Sequence, residues 1–139
     1  MRIFKICNEH FMCKEIEGDL KSLQEEVGGF ITLAPHFDEL TGMDIDIYAD
    51  DEGLLKADPK ISMLVLNREH GNIESVLVGN LVFLSHDEEG NTKGLTQEQL
   101  DFIYEHLARV WYSTNDSDEM KEAFTFIFEE EKNDTNRKL

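Results

Sequence analysis

A chain of 139 residues is sized for one domain, and 40% apolar content with nine Phe, three Tyr and one Trp is enough to build a core. Thirty Asp and Glu against thirteen Lys and Arg leave a formal charge of −17. Such a chain repels polyphosphate at long range, so the expected partner is a basic protein surface and not nucleic acid directly.

The charge is unevenly placed. Residues 1–14 hold three basic and one acidic side chain, residues 15–60 three and thirteen, and the remainder seven and sixteen. No apolar run approaches the roughly 20 residues of a membrane-crossing helix, so no membrane partner is expected. No long apolar stretch follows Met1-Arg2-Ile3-Phe4-Lys5, and the two cysteines lack a secretory context. The expected location is the cytoplasm of a host cell.

Taken in chain order, Arg2–Cys7 alternates basic and apolar residues as a first strand. Asp19 caps a short helix from Leu20 to Val27, with Leu20, Leu23 and Val27 along one face, and Gly28-Gly29 ends it. Phe30–Leu33 resumes as a strand before Pro35. Met43–Tyr48 alternates with period two: Met43, Ile45 and Ile47 face inward, Asp44, Asp46 and Tyr48 outward. Turns are expected at Asp50–Gly53, Arg68–Asn72 and Asp87–Asn91, around an apolar strand Ile61–Asn67 and a long strand Ile73–Ser85. Gly79-Asn80 interrupts the latter, as a bulge or a close backbone approach would require.

Thr96-Gln97-Glu98-Gln99 fits a capping box, and Leu100, Ile103, Tyr104, Leu107 and Trp111 follow at helical spacing. A polar linker, Ser113–Asp118, leads to a second helical pattern over Glu119–Lys132 and a frayed tail from Asn133. The predicted architecture is α+β: a mainly antiparallel sheet with two or three packed helices. Residues 1–112 form the single domain. Residues 113–139 supply the linker, an appended amphipathic C-terminal helix and the tail.

Catalytic signatures are missing from the pattern, so the chain is expected not to be an enzyme and to need no cofactor. Cys7, His10 and Cys13 stand at three-residue intervals, but no second Cys or His pair follows at zinc spacing. The segment from Asp44 to Gly53 fails the calcium-loop pattern in both registers, because glycine never falls at the sixth position. No metal is therefore assigned. His10, His36, His70, His86 and His106 are scattered, and no Gly-rich phosphate loop appears. In the last predicted helix, Phe124, Phe126, Ile127 and Phe128 cover a wider arc than one docking stripe needs. Phe124, Phe126 and Phe128 thus form a second candidate interface, suited to a homodimer through that helix.

Three stretches carry a family resemblance: Leu20–Ile31, Asp46–Gly53 and Leu77–Phe83, extending to Gly94–Gln99. Over about residues 14–100 the chain resembles an uncharacterised domain family of small phage, plasmid and mobile-element accessory proteins. Where that family usually shows asparagine near the glutamate-glycine turn, this chain has Asp50 and Asp51. The resemblance transfers no catalytic residue. It implies a setting among accessory genes that blunt bacterial defences, where small acidic proteins act as inhibitors.

Charge and resemblance together lead to an expected counter-defence binding protein of the anti-CRISPR or anti-restriction type. Asp44, Asp46, Asp50, Asp51, Glu52 and Asp58 would stand in for phosphates on a basic surface of a host nucleic-acid enzyme. The alternative is a sponge for a defence signalling nucleotide, with a pocket near Gly79-Asn80 and phosphate contacts from the N-terminal basic residues and Arg68.

Overall fold

The computed structural model describes residues 1–55, 60–67, 72–113 and 119–128. Two sheets face each other. The first has the order β2-β1-β7-β4-β3, built from β1 (Arg2–Cys7), β2 (His10–Glu15), β3 (Ile31–Leu33), β4 (Ile45–Asp50) and β7 (Asn80–His86), with β8 (Thr92–Lys93) also on β7. The second runs β6-β5-β10-β9, from β5 (Ile61–Leu66), β6 (Ile73–Val78), β9 (Leu107–Tyr112) and β10 (Lys121–Phe126). Helices α1 (Leu20–Val27), α2 (Asp38–Gly42) and α3 (Gln97–His106), with a 3-10 turn at Gly53–Leu55, complete the described elements. The α+β class and the mainly antiparallel pairing agree with expectation. The β5–β10 pair is parallel.

Side-chain alternation explains how the layers stack. In β7, Leu81 and Phe83 point between the sheets, with Phe4, Ile6, Ile45 and Ile47 beside them and Met63, Val65, Leu77, Phe124 and Phe126 opposite. Val82 and Leu84 point the other way and meet Leu23 and Val27 of α1, along with Ile3. The first sheet is therefore buried on both faces. Asp19 starts α1 by accepting the Ser22 amide at 2.8 Å, and Gly28, at φ +90°, ends it. Glu26 then ties the helix to the β1–β2 hairpin, 3.0 Å from Lys5 Nζ and 2.9 Å from Lys14 Nζ.

Several expectations need correction. Ile73–Ser85 is two strands, because Gly79, at φ +74°, sends β6 into one sheet and β7 into the other. The turn after Asp50 is no hairpin; it carries the chain from the first sheet to the second. The Thr96 helix stops at His106, where Leu107 turns extended (ψ 135°) and β9 begins. Over Lys121–Phe126 the expected C-terminal helix is replaced by β10, which sits between β5 and β9, while residues 129–132 of that expectation lie outside the described residues. In β10, residues 123–126 are buried on both faces, and a central strand that loses its period of two in this way mimics helical spacing. The predicted linker is described only at Ser113, and the tail from Asn133 lies outside the described residues.

Candidate acidic binding surface

The predicted carboxylates do not form one patch. Asp44 and Asp46 lie at the start of β4, whereas Asp50, Asp51 and Glu52 lie at its end and just beyond. The extended strand from Ile45 to Asp50 alone spans about 17 Å, more than twice the ~8 Å Debye length at physiological salt. Between them on the outer face stands Tyr48, covered by the apolar cluster under α1. The Asp58 position lies outside the described residues, as do Arg68 and His70.

At the first end the fold adds groups that sequence spacing does not reveal. Antiparallel pairing of β4 with β7 sets Ile45 opposite Ser85 and Asp46 opposite Leu84. His86 and the following turn are thereby brought to Asp44 and Asp46. His86 Nδ1 lies 2.7 Å from Asp46 Oδ2, and Nε2 lies 3.6 Å from Asp44 Oδ1. The hydrogen bond to Asp46, then its charge, raises the imidazole pKa above the ordinary 6.5. An open depression of about 810 Å³ is lined by Asp44, His86, Asp87, Glu88, Glu89 and Lys93. Asp87 is occupied with its own turn, accepting the Asn91 and Glu89 amides at 2.9 Å each, and these bonds hold its pKa down.

The platform beneath is fixed by buried polar contacts. Asp44 sits at φ +60°, a left-handed conformation that asparagine and aspartate tolerate best after glycine. The Ser85 hydroxyl donates to the Asp44 carbonyl at 2.9 Å. Gln99 of α3 donates to the Met43 carbonyl at 2.8 Å and to Ser85 Oγ at 2.9 Å. Its other amide atom accepts from the Thr96 backbone at 2.9 Å, closing the expected capping box.

At the far end, Asp50 accepts the Glu52 amide at 3.0 Å and packs on Gly29, where an added Cβ would meet its Oδ1 at 2.7 Å. Asp51 and Glu52 are exposed. Among the described residues this second patch is smaller than the first.

Other predicted sites fare differently. Phe124, Phe126 and Phe128 are 1%, 4% and 7% exposed, so they belong to the core and present no interface. Phe126 lies 5.4 Å from Phe37, and Phe128 lies 4.9 Å from the His106 ring. Cys7 is paired directly opposite His10 across the hairpin, so both share a face. Cys13 pairs with Phe4 and faces the other way. Among the described residues no three His, Cys, Asp or Glu side chains gather as metal ligands. The Gly79-Asn80 step is used internally: Ser62 Oγ donates to the Gly79 carbonyl at 2.6 Å and Asn80 Nδ2 to the Glu26 carbonyl at 3.2 Å. Arg2, Lys5 and Lys14 are engaged with Gln97 and Glu26, which leaves no N-terminal phosphate cluster among them.

A family model described as Domain of unknown function (DUF3846) matches residues 1–108. The chain belongs to this family. The match extends past both ends of the resembling stretch, and it includes both acidic patches, the 87–91 turn and α3. It stops two residues into β9, so β10 lies beyond it. No curated protein and no solved structure matches the chain. No described helix is long and apolar enough to cross a membrane.

Proposed function

We propose that the chain is a non-enzymatic binding protein whose acidic surface covers a basic surface on a nucleic-acid enzyme. The observation that supports this reading is the group at the β4–β7 end: Asp44, Asp46, Asp87, Glu88 and Glu89 against His86 and Lys93. Carboxylates held on a strand and a tight turn keep their positions at little entropic cost, so they offer fixed negative charge in place of phosphates. A field of this sign raises association rates with a basic surface by roughly 10–10³-fold and loses that advantage in salt. In this reading the host partner is a CRISPR effector or restriction enzyme, the chain acts in the cytoplasm, and the setting is that of a mobile-element counter-defence protein.

Native mass spectrometry of the chain purified from defence-active cells tests the proposal. A large protein partner held at low salt and released at high salt is the expected result. A small nucleotide adduct with no protein partner would overturn it in favour of the sponge.

A further inference from the structure

One region of this acidic molecule is neither acidic nor buried. Phe11 of β2, Tyr104 of α3 and Trp111 of β9 are 39%, 45% and 64% exposed. Phe11 and Tyr104 are linked through the core: the Phe11 ring lies 5.9 Å from Tyr104 and 5.8 Å from Phe124, and Tyr104 lies 5.4 Å from Phe4. Arg109 covers the Phe124 ring at 4.5 Å and pairs with Glu122 at 3.5 Å, so its charge is compensated in place. Trp111 follows on the same face of β9, opposite Glu122. Exposed aromatics gathered around a neutralised ion pair have the composition of an interface core.

We propose that this edge is the contact between two copies of the chain. The argument for a second copy is electrostatic. Two molecules of charge −17 approach each other only where the local charge is low. Residues 2–15 hold three basic and two acidic side chains, β9 holds Arg109 alone, and in β10 Lys121 offsets Glu122. These elements have a net side-chain charge of +2, and with Glu98, Asp101 and Glu105 of α3 included the sum is −1, low for so acidic a chain. The acidic patches belong to β4 and to the turn after β7, three and two strand spacings from β2 in the order β2-β1-β7-β4. That is about 10–14 Å, beyond the ~8 Å Debye length, so an edge-to-edge pair keeps its carboxylates apart and turned outward.

Among the described residues both β2 and β9 are edge strands, of six residues without proline, so the adjoining backbone also offers open hydrogen-bonding groups. The contact replaces the homodimer route expected through Phe124, Phe126 and Phe128, which the core already occupies. It stands independently of the acidic-surface proposal.

Sedimentation of the full chain over a range of concentrations provides the test, with emission from Trp111, the sole tryptophan, as a second readout. The expected result is a concentration-dependent species of twice the monomer mass, with Trp111 emission shifting to the blue as it forms. Trp111→Glu and Tyr104→Glu each weaken association at least about tenfold while the thermal melt of the monomer is retained, since both side chains are substantially exposed. Raising salt tightens this dimer, because repulsion is screened while apolar contact persists, whereas binding through the acidic surface weakens. A chain that stays monomeric at about 100 μM, or a dimer indifferent to Trp111→Glu and Tyr104→Glu, would overturn the proposal. Loss of partner binding with dimerisation intact would instead count against the acidic-surface reading alone.

Discussion

Gln99→Leu asks how firmly the acidic end is built, because one buried amide joins α3, β7 and the backbone before β4. Gln99 is 7% exposed. Its side chain accepts from Thr96 N at 2.9 Å and donates to the Met43 carbonyl at 2.8 Å and Ser85 Oγ at 2.9 Å. Leucine nearly matches the volume but makes none of these bonds. At about 1 kcal/mol net per hydrogen bond the loss is ~3 kcal/mol, and added apolar burial returns ~1 kcal/mol. The expected destabilisation is therefore about 2 kcal/mol, out of the 5–15 kcal/mol typical of a domain. Urea unfolding measures it: with a slope near 2 kcal/mol per molar, the midpoint falls by about 1 M. Thr96→Ala, which removes the cap hydroxyl but leaves the contacts to Met43 and Ser85, costs about 1 kcal/mol. A midpoint unchanged within error in Gln99→Leu would refute the reasoning.

Further expectations concern charge and backbone. His86 has a raised pKa in the folded chain, so its ion pair with Asp46 contributes fully below pH 6.5 and is lost as pH rises through the folded value. Melting temperatures taken on either side of neutrality should fall with rising pH more steeply in the native chain than in His86→Gln, and equal slopes would contradict this. Gly94→Ala places a Cβ 2.7 Å from the Arg2 backbone nitrogen, where Leu95 N also bonds the Arg2 carbonyl at 2.9 Å. Gly79→Ala meets nothing within 4 Å and bears only the left-handed backbone cost, ~1 kcal/mol. Chemical denaturation should rank Gly94→Ala as the more damaging; the reverse order would mean that β8 yields easily.

How much of this was legible in sequence depends on what each strand faces. The alternation in β4 was readable because Ile45, Ile47 and Ala49 turn inward while Asp46 and Asp50 do not. The α3 start was readable because a capping box is local chemistry. β10 was misread because Ala123, Phe124, Thr125 and Phe126 are all buried, which erases the period of two. The same burial removed Phe124, Phe126 and Phe128 from the surface. Grouping of the carboxylates failed for a geometric reason: residues close in sequence at the two ends of one strand are far apart in space. His86, by contrast, meets Asp46 from 40 residues away, and only the β4–β7 pairing reveals it. An acidic turn following an apolar strand was the available hint, in Asp87, Glu88 and Glu89.

The central claim is that the carboxylates gathered at the β4–β7 end hold a basic partner. Co-purification from host cells, comparing the native chain with Asp44→Lys, Asp46→Lys, Glu88→Lys and Glu89→Lys combined, addresses it most directly. The native chain should retain a nucleic-acid enzyme at physiological salt and release it at about 1 M, and the reversed chain, still folded, should retain none. Equal retention of the same partner by both chains would contradict the account.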